Sequence, residues 1–526
     1  MTASMIPKPS LFSITSLIQL GVALLVTMAE VAVGMAFSFT AENIPHLKQL
    51  LGGTTDKSWL VATSNLVSPF GSLLAGIASD DYGRRPVIIV AQIPMSIGWL
   101  CIGLAKDYQL IVIGQIIVGI GCGMVMVVIR IYGSEITLSN LRAVVGAFPN
   151  LGMAIGISIQ AYLATRLKWY IMAYFCSAFC LVLSGIFFLL SETPHFLLMT
   201  STEAKTLKSL KSFRYVAKYN VHDEMNELMH FKNMNDIRRL NFKGKVLAVC
   251  QCRAVFKPFG IILIYLTVFQ LAGVTVMFEW IIEILKESKS SIDPSLGTIS
   301  LSLTRVATGV IAALMYYKIG RKPMTLLSAL GVGVVCLILP TYLIYIRVNS
   351  VIPQIFYSTY IMFATLGYYN IPLLLMSELF PLQIRGLMCG ITLFLANFFV
   401  FVSFLSFPMI KDVIGLINMI YVYGVCSILG GILLFFIIPE TRDVTLTEIE
   451  EYYKGLRPSL VSERDILSAQ RLAVLGSRQP NVMQRQTSHT GRPDLVTKQK
   501  WSKIDFTQRA ESSESNVIQS GSRTSK

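Results

Sequence analysis

Charge is scarce in this chain. Only 14% of its 526 residues are Asp, Glu, Lys or Arg, against 53% hydrophobic, and the mean hydropathy is +0.61. A soluble surface cannot be built from so few polar groups, so a water-soluble globular protein is excluded. Nothing resembles a nucleotide-binding loop or a hydrolytic site, so covalent chemistry, a cofactor and a metal are not expected, and the chain is read as no enzyme. The nine cysteines fall mainly within apolar runs, with Cys250-Gln251-Cys252 in a basic segment. That placement offers no disulfide framework.

What is present is a series of apolar runs of roughly twenty residues, the length needed to cross a bilayer as a helix. Twelve spans are expected, near 11–37, 59–79, 86–104, 110–132, 144–164, 169–190, 258–284, 296–317, 324–346, 355–376, 387–410 and 416–438. The first is too long for a cleaved signal peptide and reads as a retained signal-anchor. The net charge of +15 could suggest nucleic acid, but Lys and Arg gather in the loops between even and odd spans, in residues 191–257 and in the tail. By the positive-inside rule that distribution places both termini in the cytoplasm, and no nucleic-acid partner is expected. The loops assigned to the outside carry no Asn-x-Ser/Thr acceptor.

One signature is written twice. Gly83-Arg84-Arg85-Pro86, Glu135 with Arg142 seven positions on, and Glu192-Thr193-Pro194 return as Gly320-Arg321-Lys322-Pro323, Glu378 with Arg385, and Glu440-Thr441-Arg442. The chain is therefore read as two related bundles of six spans, 1–190 and 258–440. Many secondary transporters are built this way, with the pathway between the halves. The linker 191–257 is expected to hold short amphipathic helices, and 441–526 to be a cytoplasmic tail, mostly disordered after about 457, where cytoplasmic partners could dock. Asp80, Arg84, Arg85, Glu135, Arg142, Glu192, Arg321, Glu378, Arg385 and Glu440 are candidate members of an inner gate. Small residues around Gly76 let helices approach while the charges latch reversibly.

Gly76-x-x-x-Asp80-x-x-Gly83-Arg84-Arg85, Tyr132-x-x-Glu135, Ser191-Glu192-Thr193-Pro194, Glu378-Leu379-Phe380-Pro381-x-x-x-Arg385-Gly386 and Pro439-Glu440-Thr441-Arg442 together resemble the sugar porter family of the major facilitator superfamily. The ending Ile438-Pro439-Glu440-Thr441-Arg442-x-x-Thr445-Leu446-x-x-Ile449-Glu450 is most like that of the insect facilitated trehalose transporters. The resemblance implies an all-α membrane fold, alternating access by two six-helix halves, and a plasma-membrane carrier of a small polar solute, a sugar such as trehalose or a hexose first. It also exposes departures. Ser191, His195 and Gln115 stand where the family has Pro, Arg and Arg.

The central residues differ more. The family's Gln-Gln-Leu-Ser-Gly-Ile-Asn in span seven is Phe269-Gln270-Leu271-Ala272-Gly273-Val274-Thr275, and its Gly-Pro-Ile-Pro-Trp in span ten is Tyr369-Asn370-Ile371-Pro372-Leu373. Arg305 replaces an asparagine in span eight, and Asn397 is retained in span eleven. Gln160 lies one position, about 100° of helix, from the family glutamine. Gln270, Thr275, Arg305, Asn397 and Gln160 are thus the candidate solute-binding residues.

Glu30, Arg130, Glu279 and Arg305 lie inside apolar spans, where each costs about 2.5–3.5 kcal/mol on the insertion scale, so each needs a partner or a wet cavity. One acid is expected to pair with Arg305, or Arg305 to meet an anionic solute, or Glu30 to carry a proton. Arg130 is expected to snorkel towards water or to join the Glu135 cluster. A carrier of anions or other non-sugar solutes, proton-coupled or not, and a non-transporting nutrient sensor stand as the alternative functions.

Overall fold

The structure, a computed structural model, describes residues 13–47, 57–214, 221–234, 240–251, 253–280, 284–285, 287, 294–345 and 350–460. All of them belong to one compact unit, Met1–Arg464. The expected mobile part of the tail lies outside the described residues.

The first half runs α1 (Ile14–Leu47), α2 (Lys57–Tyr82), α3 (Arg84–Gly103), α4 (Tyr108–Ile136), α5 (Arg142–Ala164) and α6 (Trp169–Phe187). Four short helices follow: α7 (Pro194–Thr200), α8 (Glu203–Phe213), α9 (Val221–Met234) and α10 (Phe242–Gln251). The second half runs α11 (Arg253–Leu271), α12 (Val274–Glu279), α13 (Pro294–Lys318), α14 (Arg321–Tyr345), α15 (Ile352–Leu366), α16 (Ile371–Leu379), α17 (Arg385–Ile414) and α18 (Leu416–Ile437), and α19 (Leu446–Tyr453) closes the described chain. Among the described residues, eleven stretches are long and apolar enough to cross a membrane. Helix α2 is not one of them, although its 26 residues are sufficient length. It carries Ser64, Ser68, Ser72 and Ser79, all buried against neighbouring helices.

Sequence periodicity dictates which faces look outward. Val90, Ile93 and Ile97 of α3, Leu181 and Val182 of α6, Val334 and Ile338 of α14, and Leu429 and Phe436 of α18 are exposed apolar side chains, as a lipid-facing surface requires. The halves meet along α2 with α17 and along α5 with α13.

Two expected continuous spans are broken. Span seven stops at Leu271 and resumes at Val274, with Gly273 in the left-handed region (φ 68°), a conformation that costs a side-chain-bearing residue strain. Span ten stops at Leu366 and resumes at Ile371, because Pro372 in the first turn of α16 has no N–H to continue the ladder. Both breaks border the centre of the molecule, where irregular backbone is tolerated only if it lines a cavity or is covered by protein.

Local chemistry places the short helices. Thr193 caps α7 by accepting from Phe196 N, with Pro194 in the first turn. Thr445 and Glu448 form a reciprocal capping box at α19.

Candidate functional site: a central cavity above a charged latch

At the linker end of the bundle the duplicated charges assemble as two matching clusters. In the first half Arg84 Nη2 donates to Glu135 Oε1 at 3.0 Å, and Thr193 Oγ1 donates to Glu135 Oε2 at 2.7 Å. In the second, Arg321 Nη2 donates to Glu378 Oε1 at 2.9 Å, and Thr441 Oγ1 to Glu378 Oε2 at 2.7 Å. Glu192 accepts from the backbone N–H groups of Arg84 and Arg85, and Glu440 from those of Arg321 and Lys322. Each carboxylate thereby satisfies the exposed amides at a helix start. It can do so because a glycine precedes each pair: a Cβ on Gly83 would stand 2.4 Å from Glu192 Oε2, and one on Gly320 2.3 Å from Glu440 Oε2. The half-buried Arg85 side chain donates to Phe188 O at 2.6 Å, in a solvent-exposed contact.

Side chains of three residues, Arg385, Asp80 and Arg142, reach across between the halves. Arg385 Nη1 donates to Glu135 Oε1 at 3.1 Å, so one buried carboxylate oxygen holds arginines from both halves. Asp80 accepts from Gly386 N and Leu387 N, each at 3.0 Å, supplying α17 with a cap from the opposite half. In return Arg142 Nη1 donates to Val444 O at 3.1 Å. The approach needs small residues, since a Cβ on Gly76 would sit 2.5 Å from Gly386 O and one on Gly390 2.9 Å from Ser72 O. The repeat is not symmetric. Counting three back from each Gly-Arg pair gives Asp80 in one half and Tyr317 in the other, and no side chain of the N-cap residue caps α5.

His195, standing where Arg was expected, keeps its Nδ1 3.1 Å from the Glu135 carbonyl, which assigns Nδ1 as the donor. Burial lowers its pKa to about 4, against the opposing pull of the Glu135 carboxylate and with Arg385 and Arg142 adding to the shift. The ring is neutral at pH 7. Because the folded value lies below the unfolded one, the unfolded chain binds the extra proton first. Stability is full above about pH 6.5 and falls as pH drops towards 4, by about 3 kcal/mol for a shift of that size. His195→Gln is expected to flatten that part of the thermal-unfolding profile relative to the parent chain.

Above the latch lies a cavity enclosing about 850 Å³ of space, its open mouth included. The first half contributes Phe37, Asn65, Met126, Arg130, Asn150, Met153 and Ile157. The second contributes residues of α11, α12, α13, α16, α17 and, from the second break, Tyr368 and Tyr369. None comes from α3, α6, α14 or α18.

Four of the five sequence-chosen residues meet here: Gln270, Thr275, Arg305 and Asn397. Thr275 Oγ1 donates to Gln270 Oε1, and Ser403 Oγ lies 3.5 Å from the same oxygen. Among the described residues, the Asn397 amide makes a single long contact, 3.5 Å to Ser72 Oγ. Arg305 rests its guanidinium on two rings, 4.3 Å from the Tyr369 centroid and 4.7 Å from that of Phe278. Gln160 does not reach the cavity. Fully buried, it accepts from Cys176 Sγ of α6 at 3.8 Å, because one helical position turns the amide from the pathway into the helix contact.

Of the two acids considered as partners for Arg305, Glu30 is engaged elsewhere. Arg130 Nη1 donates to Glu30 Oε1 at 2.6 Å and also to Met126 O, so Arg130 neither snorkels nor joins Glu135. Arg130 lines the cavity and Glu30 does not. Glu279 ends α12, and its side chain lies outside the described residues.

A further pair was not anticipated from sequence. Asn150 Nδ2 of α5 donates to Tyr369 O at 2.7 Å and to Asn370 Oδ1 at 2.8 Å, tying the first half to the second break. The one available signal was an amide isolated among small and apolar neighbours in span five. Asn150→Ala leaves the Tyr369 carbonyl unserved, and a loss of about 1–3 kcal/mol is expected in the thermal unfolding of the purified protein.

Opposed helix bundles, paired outer faces and a central cavity define the major facilitator superfamily architecture. The fold is shared with the superfamily's proton:xylose symporter XylE bound to 6-bromo-6-deoxy-D-glucose, which superposes with a TM-score of 0.72 at 20% identity, covering 84% of this chain and 100% of the other. Residues 25–453 match the profile of the family described as "Sugar (and other) transporter", and the chain belongs to that family. It is 26% identical over 448 residues to the facilitated trehalose transporter Tret1 of Drosophila grimshawi and 24% identical over 442 residues to that of Bombyx mori. Each alignment covers 82% of this chain. The chain spans about half of the Drosophila relative (47%) and 86% of the Bombyx one.

Proposed function

We propose that this protein carries a sugar, trehalose or a hexose, across the plasma membrane by alternating access. The observation that carries the reading is the joint occurrence of a cavity lined from both halves and a latch whose carboxylates hold groups from both halves at the linker end. In this arrangement the linker end is shut. Transport then requires the crossing contacts of Asp80, Glu135 and Arg142 to release while the pairs within each half persist. The names of the relatives support a sugar as the solute. Gln270, Thr275, Arg305 and Asn397 are the residues we assign to contact with it.

The basic linker supports a cytoplasmic linker end, both termini inside, and a division at 1–190, 191–257 and 258–440. Epitope tags at either terminus should react only after the cells are permeabilised; reaction in intact cells would refute that orientation. Uptake of radiolabelled trehalose and glucose into proteoliposomes of the purified chain tests the activity. Saturable, counterflow-stimulated entry of either sugar is the expected result, and entry no faster than into empty vesicles would refute it.

A further inference from the structure

The polar groups facing the cavity are mostly committed to the protein itself. Gln270 is held by Thr275 and Ser403. Asn150 is held by Tyr369 and Asn370, the Tyr368 hydroxyl by Ser427, and Arg130 by Glu30. The Tyr369 hydroxyl donates to Val274 O at 3.3 Å. A solute hydroxylated over its whole surface needs many exchangeable partners, because a hydroxyl buried without one is unfavourable. This cavity offers few. Its two loosely engaged amides, Asn65 of α2 and Asn397 of α17, belong to helices that pack together, so they mark one side.

The remainder of the wall is apolar and substantially aromatic. Phe278 and Tyr369 pack edge to face with centroids 6.4 Å apart, and Phe269 meets Tyr369 at 5.4 Å. Arg305, itself a lining residue, rests its guanidinium on Phe278 and Tyr369, and Met153 of α5 lies 3.9 Å from that group. Phe37 and Leu393 extend the apolar lining. The result is a two-ended chamber, amide on one side and ring-lined on the other.

We infer that the preferred solute is a glycoside: a sugar whose hydroxyls meet Asn65 and Asn397, joined to an apolar ring that packs against Phe269, Phe278 and Tyr369. This rests on the sugar-carrier reading and names the class of sugar compound. An aromatic aglycone matches the wall, since ring against ring in an offset or edge arrangement adds to the area it removes from water.

The test is calorimetric titration of the purified full-length chain with glucose, trehalose, phenyl β-D-glucopyranoside and benzyl alcohol. Phenyl glucoside is expected to bind about tenfold or more tightly than either free sugar, as burial of one ring predicts. In Phe278→Ala the ratio of phenyl glucoside to glucose affinity should narrow. In Asn397→Leu, phenyl glucoside should weaken more than benzyl alcohol. Glucose or trehalose binding as tightly as phenyl glucoside in the unaltered protein overturns the inference without touching the sugar-carrier reading. Benzyl alcohol binding as tightly as phenyl glucoside, with neither free sugar bound, instead overturns the sugar-carrier reading and the inference with it.

Discussion

Asp80→Ala is expected to open the linker end and to reduce sugar uptake by at least about tenfold. Its carboxylate accepts two backbone amides of α17, at Gly386 and Leu387, and stands 3.6 Å from Arg84. Hydrogen bonds to a charged acceptor contribute roughly 1.5–3 kcal/mol each, so losing both costs the closed state about 3–6 kcal/mol. A shift of about 1.4 kcal/mol already changes the ratio of two conformations tenfold. By comparison, the exposed Arg85 contact with Phe188 O contributes little, and Arg85→Ala should alter uptake less than twofold. Spin labels at Tyr82 and Lys318, at the linker ends of α2 and α13, would report the change. A longer distance population should appear in Asp80→Ala and be absent from Arg85→Ala. An unchanged distance distribution in Asp80→Ala would contradict the role assigned to this cap.

The second large effect concerns the Glu30–Arg130 pair. Both side chains are buried, and the 2.6 Å bond between them is supplemented by Arg130 donating to Met126 O. Removing one partner strands the other charge, a change that typically costs about 3–5 kcal/mol. Glu30→Gln keeps the shape and removes only the charge, so it should lower the unfolding temperature and the yield of folded protein. Replacing both residues, Glu30→Gln with Arg130→Met, should recover much of that loss, because no unpaired ion remains. If the single variant melts like the parent chain, the pair is not a structural requirement. Proteoliposomes with and without a pH gradient add an independent readout. Accumulation driven by the gradient in the parent and lost in Glu30→Gln would assign a proton to this carboxylate. Equal uptake in both conditions would leave Glu30 a packing element.

Much of the fold was legible because membranes penalise error. A run of twenty apolar residues has few alternatives to a spanning helix, and charges repeated at fixed intervals beside such runs must find each other. Arg84, Glu135 and Glu192, with Arg321, Glu378 and Glu440, were therefore readable as matched clusters before any coordinates. Pairing between distant helices was not. Glu30 and Arg130 are 100 positions apart, and nothing in either span says that α1 and α4 turn these residues towards one another. The same limit applies to Gln160, where a single helical step decides between cavity and helix contact. The breaks at Gly273 and Gly367–Asn370 were hidden inside runs whose apolarity continues across them. The Asn150–Asn370 tie depends on one of those breaks, and it was invisible for that reason.

The unequal capping of α17 and α5 has a mechanical consequence. The α2–α17 seam is fastened by a carboxylate, while the α5–α13 seam lacks an equivalent at the matching position, Tyr317. In the proposed cycle, separation of the two bundles meets one strong closure and one softer edge, so the linker-end mouth is expected to swing about the second as the first lets go. Duplication supplied two similar walls, and a single aspartate gave them a door that opens from one side.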